Sequence, residues 1–146
     1  MLANIPVTGF ELEFLVRLVL SVIAGFLIGA ERESRGKSAG ISTHSFVIGG
    51  SMIFTMLSVI MDIGSPARIA AQIVSGIGFL GAGIILKEDT TGKITNLTTA
   101  AAIWFSAAIG MALGFGWYLI AMIATIYALV VPRIPHISHK IEHHDK

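Results

Sequence analysis

The sequence predicts an all-α polytopic membrane protein with five transmembrane helices, and three observations predict it. Of its 146 residues, 54% are hydrophobic and only 13% charged, with a mean hydropathy of +0.81, which is far too apolar for a soluble domain of this length. The apolar residues gather into five runs divided by short stretches rich in charge, glycine or proline. Along the runs, polar or small residues collect on one side of a helical wheel and bulky ones on another. Cysteine is absent, which excludes disulfides, thiolate metal sites and cysteine nucleophiles, and a net charge of +1 argues against a nucleic-acid partner.

The first span covers about residues 12–30, enough at 1.5 Å per residue to cross roughly 28 Å of hydrocarbon. It follows Glu11 and Glu13 rather than a positive segment and ends in no small-residue cleavage site, so it reads as a span that stays in the mature chain. Glu13, Arg17, Ser21, Ala24 and Glu31 share one side of the wheel, and Leu15, Val19, Val22 and Phe26 line the other. Arg17 either pairs with Glu13 four residues away or snorkels to the interface. Residues 31–40, ERESRGKSAG, read as a charged loop with Arg32, Arg35 and Lys37 just past a helix C-terminus, where the dipole favours cations. The GKS triplet is no P-loop, because Glu31 stands where that loop needs a glycine.

The second span, 42–61, starts at a Ser42 or Thr43 cap and carries His44, Ser51, Thr55 and Ser58 on one face, with Asp62 at its far end. Ser65 then caps a helix that has Pro66 at its first position and runs to Leu86. This third span is rich in glycine, which costs about 0.8 to 1 kcal/mol relative to alanine in a helix, so close packing must offset it. Ser75, Gly76, Gly78, Gly81 and Gly83 are the expected packing residues, with the stripe Ile69, Ile73, Ile77, Leu80 and Ile84 turned to lipid, and the helix is expected at the centre of the bundle. Its small surface spans more than one arc, which predicts a homo-oligomer, with a dimer favoured. Arg68, at a positive helix N-terminus, calls for an acidic partner among Asp62, Glu13 and Glu11. The segment GIGFLG matches the dinucleotide fingerprint by letter but lacks the strand and soluble βαβ unit that fingerprint requires.

Residues 87–96 are a second polar loop, and Asn96 caps a fourth span, 97–113, with Thr99, Ala102, Ser106 and Gly110 on one small, weakly polar face. Gly114-Phe115-Gly116 breaks it. The fifth span, 117–131, opens on interfacial Trp117 and Tyr118 and stops at Pro132, leaving a polar tail over 132–146. Loop 31–40, loop 87–96 and the tail carry eight Lys/Arg on one side, against Arg68 on the other, so the N-terminus is expected outside and the C-terminus in the cytoplasm.

The runs GAERESRGKSAGISTH (29–44), SPARIAAQIVSGIGFLGAGIIL (65–86) and NLTTAAAIWFSAAIG (96–110) closely resemble the membrane domain of the MgtC/SapB family, over about residues 12–131. The resemblance implies a five-helix domain of a bacterial or archaeal inner membrane, linked to growth in low magnesium and labelled a magnesium transporter. By position it carries over Glu31, Arg32, Arg35, Thr43, His44, Arg68, Gln72, Thr98 and Thr99 as the family's characteristic polar residues. This chain has Ser42 where many relatives have arginine and Asn96 where they have glycine, and it is expected to be a short form without the soluble domain that long relatives append.

Mg²⁺ prefers oxygen ligands, and Glu31, Glu33 and Asp62 are the candidate ligands. All the acids near the membrane, however, sit at helix ends and none at the midplane, where ion relays place theirs. Ser51, Thr55 and Ser58 either line a hydrated path or hydrogen-bond across helices. His44, near a helix N-terminus, is a neutral hydrogen-bonding residue or a cation-binding switch. The tail histidines 136, 139, 143 and 144 are a solvated tail or a transition-metal grip. No nucleophile, base and orienting group share a depth, so no enzyme and no cofactor is expected, Mg²⁺ entering only as ligand or transported ion. Two functions stay open. One is ion handling for magnesium, with Glu31, Glu33, His44, Asp62, Arg68 and Gln72 along a route, and the other is a regulatory module that docks on another membrane protein through the glycine-rich helix. Topology is checked with Lys37→Cys: a membrane-impermeant maleimide is expected to leave it unlabelled in intact cells and to label it once the membrane is opened.

Overall fold

The computed structural model describes residues 9–61, 65, 67–87 and 94–134. Within them lie five α-helices: α1 (Phe10–Ser34), α2 (Ile41–Met61), α3 (Ala67–Ile84), α4 (Leu97–Gly114) and α5 (Tyr118–Val130), closed by a 3₁₀ turn, Val131–Arg133. A two-residue ladder, β1 (Leu86–Lys87) against β2 (Ile94–Thr95), joins α3 to α4 where a plain loop was expected. Among these helices α1, α2 and α4, of 25, 21 and 18 residues, are long and apolar enough to cross a membrane; α3 and α5 contribute shorter apolar stretches.

Two glycines set the helix ends. Gly36 has φ 64° and Gly116 φ 76°, conformations a side chain resists. At the first, Lys37 N–H donates to the Arg32 carbonyl and Gly36 N–H to that of Glu33; at the second, Trp117 and Gly116 do the same to Ala112 and Leu113. Each is the paired closure of a Schellman ending, which satisfies carbonyls the helix would leave open. With no breaker between Ala30 and Gly36, α1 therefore runs on through Ser34, and Glu31 and Arg32 belong to its last turns rather than to a loop.

Helix α2 is the hub. It packs along α1 on one side and α4 on the other; α3 lies against α4 and α2, and α5 against α4 and α1. The expectation that the Pro66–Leu86 helix is central is corrected here: α3 is peripheral. The close approaches fall elsewhere. A Cβ added at Gly25 would stand 2.6 Å from the Ser45 nitrogen, and one at Gly29 2.7 Å from the Gly40 carbonyl carbon. On the other side of α2, a Cβ at Gly110 would lie 2.7 Å from Ser51 Cβ, and one at Gly114 2.7 Å from the Met52 carbonyl oxygen. These are two small-xxx-small pairs, GFLIG in α1 and GMALG in α4, each letting a backbone press against α2. At Gly76, Gly78 and Gly83 an added Cβ meets nothing within 4 Å, and Ser75 is exposed; Gly81 alone of the expected set is buried, against Ala100. The stripe expected to face lipid does the reverse in part, since Ile73, Ile77 and Ile84 are half-buried.

The core comprises Ala24, Ile28, Ile48, Met52, Met56, Ile109, Ala112, Leu113 and Ala121. Leu15, Val19, Val22 and Phe26 of α1 stay exposed, as the wheel expects of a lipid face, while Ser21 and Ala24 opposite are buried. Leucine at Gly110 or Gly114 is expected to destabilise the fold by at least the roughly 1 to 3 kcal/mol of an overpacked core, because the obstruction is the α2 backbone at Gly110 and the Met52 carbonyl with the branched Thr55 side chain at Gly114. Leucine at Gly78 should be neutral, and thermal unfolding of the purified variants in detergent separates the two cases.

Candidate functional site

The bundle has two polar ends. At the far end, the Arg17 guanidinium donates to both the Glu13 carboxylate and the Gly114 carbonyl, so Arg17 does more than snorkel: it ties α1 to the C-terminus of α4, where the helix dipole favours a cation. Of the acids proposed as partners of Arg68, Glu13 is thereby engaged, Glu11 is exposed in the first turn of α1, and Asp62 lies outside the described residues.

The near end, beside the 35–40 turn, holds a buried polar cluster. Arg32, 1% exposed, donates through Nη2 to Thr99 Oγ1 at 3.2 Å, linking α1 to α4. His44, 0% exposed, meets Ser106 Oγ through Nδ1 at 2.8 Å, linking α2 to α4. Ser106 Oγ also lies 2.9 Å from the Ala102 carbonyl, within reach of its hydroxyl proton. Arg35 bridges outward: its Nε is 2.6 Å from Glu31 Oε1, and its Nη1 donates to the Pro132 carbonyl at 2.8 Å, fastening α1 to the end of α5. Glu33 serves the chain itself, since its Oε1 accepts the Ile41 N–H at 2.9 Å and so caps α2 in place of Ser42 or Thr43.

Several buried atoms here have no hydrogen-bond partner: Arg32 Nε, His44 Nε2 and Glu31 Oε2, while Glu31 Oε1 meets only the Arg35 guanidinium. Donors and acceptors left bare in a polar buried site are where ordered water resides. For a directly bound Mg²⁺ the set is thin, because Glu31 already faces Arg35 and Arg32 adds positive charge nearby. Among the described residues no three His, Asp or Glu side chains converge. Of the other residues singled out, Thr43 is half-buried and Thr98 and Gln72 exposed, and neither Arg68 nor Gln72 belongs to the near-end cluster. Asp62 and the tail histidines lie outside the described residues.

His44, Ser51, Thr55 and Ser58 of the polar row of α2 are buried within the bundle. Ser51 and Thr55 are the residues against which Gly110 and Gly114 close, and Thr55 and Ser58 are fully buried. Ser106 is the member of the cluster that the sequence undervalued. Its seven-residue spacing from Thr99, two helical turns on one face, was the signal that could have found it.

Apolar helices that bury a polar cluster at one end and show lipid-like side chains outward define a helical membrane protein. Residues 18–140 match the MgtC family, and the chain belongs to that family. It is 44% identical over 133 residues to a protein of Escherichia coli K12 named "Putative magnesium transporter YhiD", covering 85% of this chain and 61% of that one. "Protein MgtC" of Salmonella typhimurium LT2 is 45% identical over 116 residues, 80% of this chain and 49% of its own length. A third relative, "Uncharacterized protein slr0014" of Synechocystis, is 41% identical over 137 residues, 90% of this chain and 58% of that one. The chain thus spans about half to three-fifths of the length of these relatives. No solved structure matches.

Breaking either interhelical bond strands a buried polar atom, which costs about 1 to 3 kcal/mol. Thr99→Val and Ser106→Ala are each expected to lower unfolding stability by that amount, read from denaturant titration in detergent, whereas Thr98→Val should change it little.

Proposed function

We propose that this chain is a multi-pass protein of the bacterial or archaeal cytoplasmic membrane, with five spans and its N-terminus outside, and that it serves magnesium homeostasis by binding another membrane protein. On this reading it conducts no ion and catalyses no reaction. The observation that carries the reading is the closure of the polar row of α2: its hydroxyls are buried against the glycines of α4, which leaves little room for a hydrated ion. The magnesium connection rests on the family and on the name of the Escherichia coli relative.

Binding is supported by what α3 leaves open. Ala71, Ser75, Gly78 and Ala82 form an exposed small-residue stripe along the helix, the kind of surface on which a second helix packs in a bilayer. The homo-oligomer expected from the sequence would use the same stripe. The near end carries Arg32, Arg35, Lys37 and Arg133, which fits a cytoplasmic side. Transport, the reading carried by the relative's name, would route Mg²⁺ past Glu31 and Gln72. The purified chain in proteoliposomes loaded with a Mg²⁺-sensitive dye is expected to pass no more Mg²⁺ than protein-free vesicles. A flux above that level, abolished by Glu31→Gln or Gln72→Ala, overturns the proposal in favour of transport.

A further inference from the structure

Between α2 and α3 runs an apolar groove of about 440 Å³, walled by Phe46 and Phe54 on α2 and by Ile73 and Leu80 on α3, with Gly50 and Gly76 as its floor. A Cβ at either glycine meets nothing within 4 Å, so the concavity is open and not a packed seam. Phe46 and Phe54, eight residues apart on α2, set its length at roughly 12 Å. Its walls offer water almost nothing to hydrogen-bond, and such cavities stay dry. The apolar lining fits a hydrocarbon chain.

The α3 wall also has an ordered polarity. Arg68, Gln72, Gly76 and Leu80 follow one another at four-residue steps, one row of the helix surface. The row begins with an exposed cation in the first turn, passes an exposed amide at the mouth of the groove, and ends over its floor. From Arg68 to Leu80 is about 18 Å along the axis, close to the roughly 15 Å of one leaflet's hydrocarbon. Anion, ester carbonyl and acyl chain occur in that order and at that scale in a phospholipid.

We propose that the α2–α3 groove binds one membrane phospholipid, its phosphate on Arg68, an ester carbonyl on the Gln72 amide, and an acyl chain over Gly50 and Gly76. The site lies on the other side of α3 from the Ala71–Ala82 stripe and stands independently of the function proposed above. The test is native mass spectrometry of the full chain purified in mild detergent and titrated with phosphatidylglycerol or with diacylglycerol, which lacks the phosphate. One phosphatidylglycerol is expected per chain. Gly76→Phe should weaken its retention at least about tenfold by filling the groove. Arg68→Gln should lower phosphatidylglycerol about tenfold toward the diacylglycerol level, the scale of one charge-assisted hydrogen bond. Gly78→Leu, on the opposite side, should retain lipid as the parent does, and melting by circular dichroism should show all three variants folded. If Gly76→Phe fails to fold, Gly50→Leu fills the same groove from α2. Unchanged retention in folded groove-filling variants overturns the site, as does unchanged phosphatidylglycerol retention in Arg68→Gln. Disulfide formation between two copies of Gly76→Cys in native membranes also overturns it, by placing protein where the lipid belongs.

Discussion

The fold depends on how closely two backbones approach α2. In lipid there is little hydrophobic gain from bringing one apolar helix to another, so association must come from van der Waals contact and interhelical hydrogen bonds. Gly25 and Gly29 let α1 settle onto the first turns of α2, and Gly110 and Gly114 let α4 settle onto its middle. Without a Cβ at these four positions the backbones touch; with one, both interfaces open. Everything else about α2 follows from being gripped on two sides.

One consequence is that α2 can bury polar side chains. A hydroxyl in the membrane interior is costly unless it is satisfied, and close helices put a carbonyl or a second hydroxyl within reach. His44 and Ser106 are brought to 2.8 Å by the same crossing that puts Ser51, seven residues further along α2, against Gly110, four further along α4. Arg32 is the sharper case. Placing a guanidinium at 1% exposure on an apolar helix is tolerable because it lies in the last turns of α1, beside Glu31 and Thr99 and close to the exposed end marked by Arg35. Packing and polarity are thus one arrangement at the near end, and altering Thr99 or Ser106 loosens helix pairs as well as removing hydrogen bonds.

The sequence made the helices legible because each spends its residues by face: Ser21 and Ala24 against Val19, Val22 and Phe26 in α1, or Thr99 and Ser106 in α4. What it could not display was partnership. Glycine density drew attention to α3, yet the glycines that touch another backbone are the sparser pairs in α1 and α4. A wheel reports which residues share a side and is silent on which helix lies there. Arg32 was misplaced for a local reason, since a charge-rich ERESRG reads as a loop until Gly36 is seen to close the helix after Ser34. Glu33 and Asn96 show a third limit. One acid caps a helix eight residues ahead, and Asn96 sits at φ 64°, which suits the glycine many relatives are expected to have, with its amide 3.4 Å from the Ile84 carbonyl rather than capping α4. Such roles are set by loop geometry that no periodicity encodes.

The bundle is therefore held unevenly. Helices α1, α2, α4 and α5 are cross-tied at the near end by Arg32 to Thr99, His44 to Ser106 and Arg35 to the Pro132 carbonyl. Helix α3 meets α4 at Gly81, against Ala100, and meets α2 across an open groove. Glycine in a helix costs stability relative to alanine, and at Gly76, Gly78 and Gly83 of α3 no close approach within the chain returns it. A scaffold helix would have alanine or leucine there. The uneven hold and the unreturned cost are what the binding role proposed for α3 rests on.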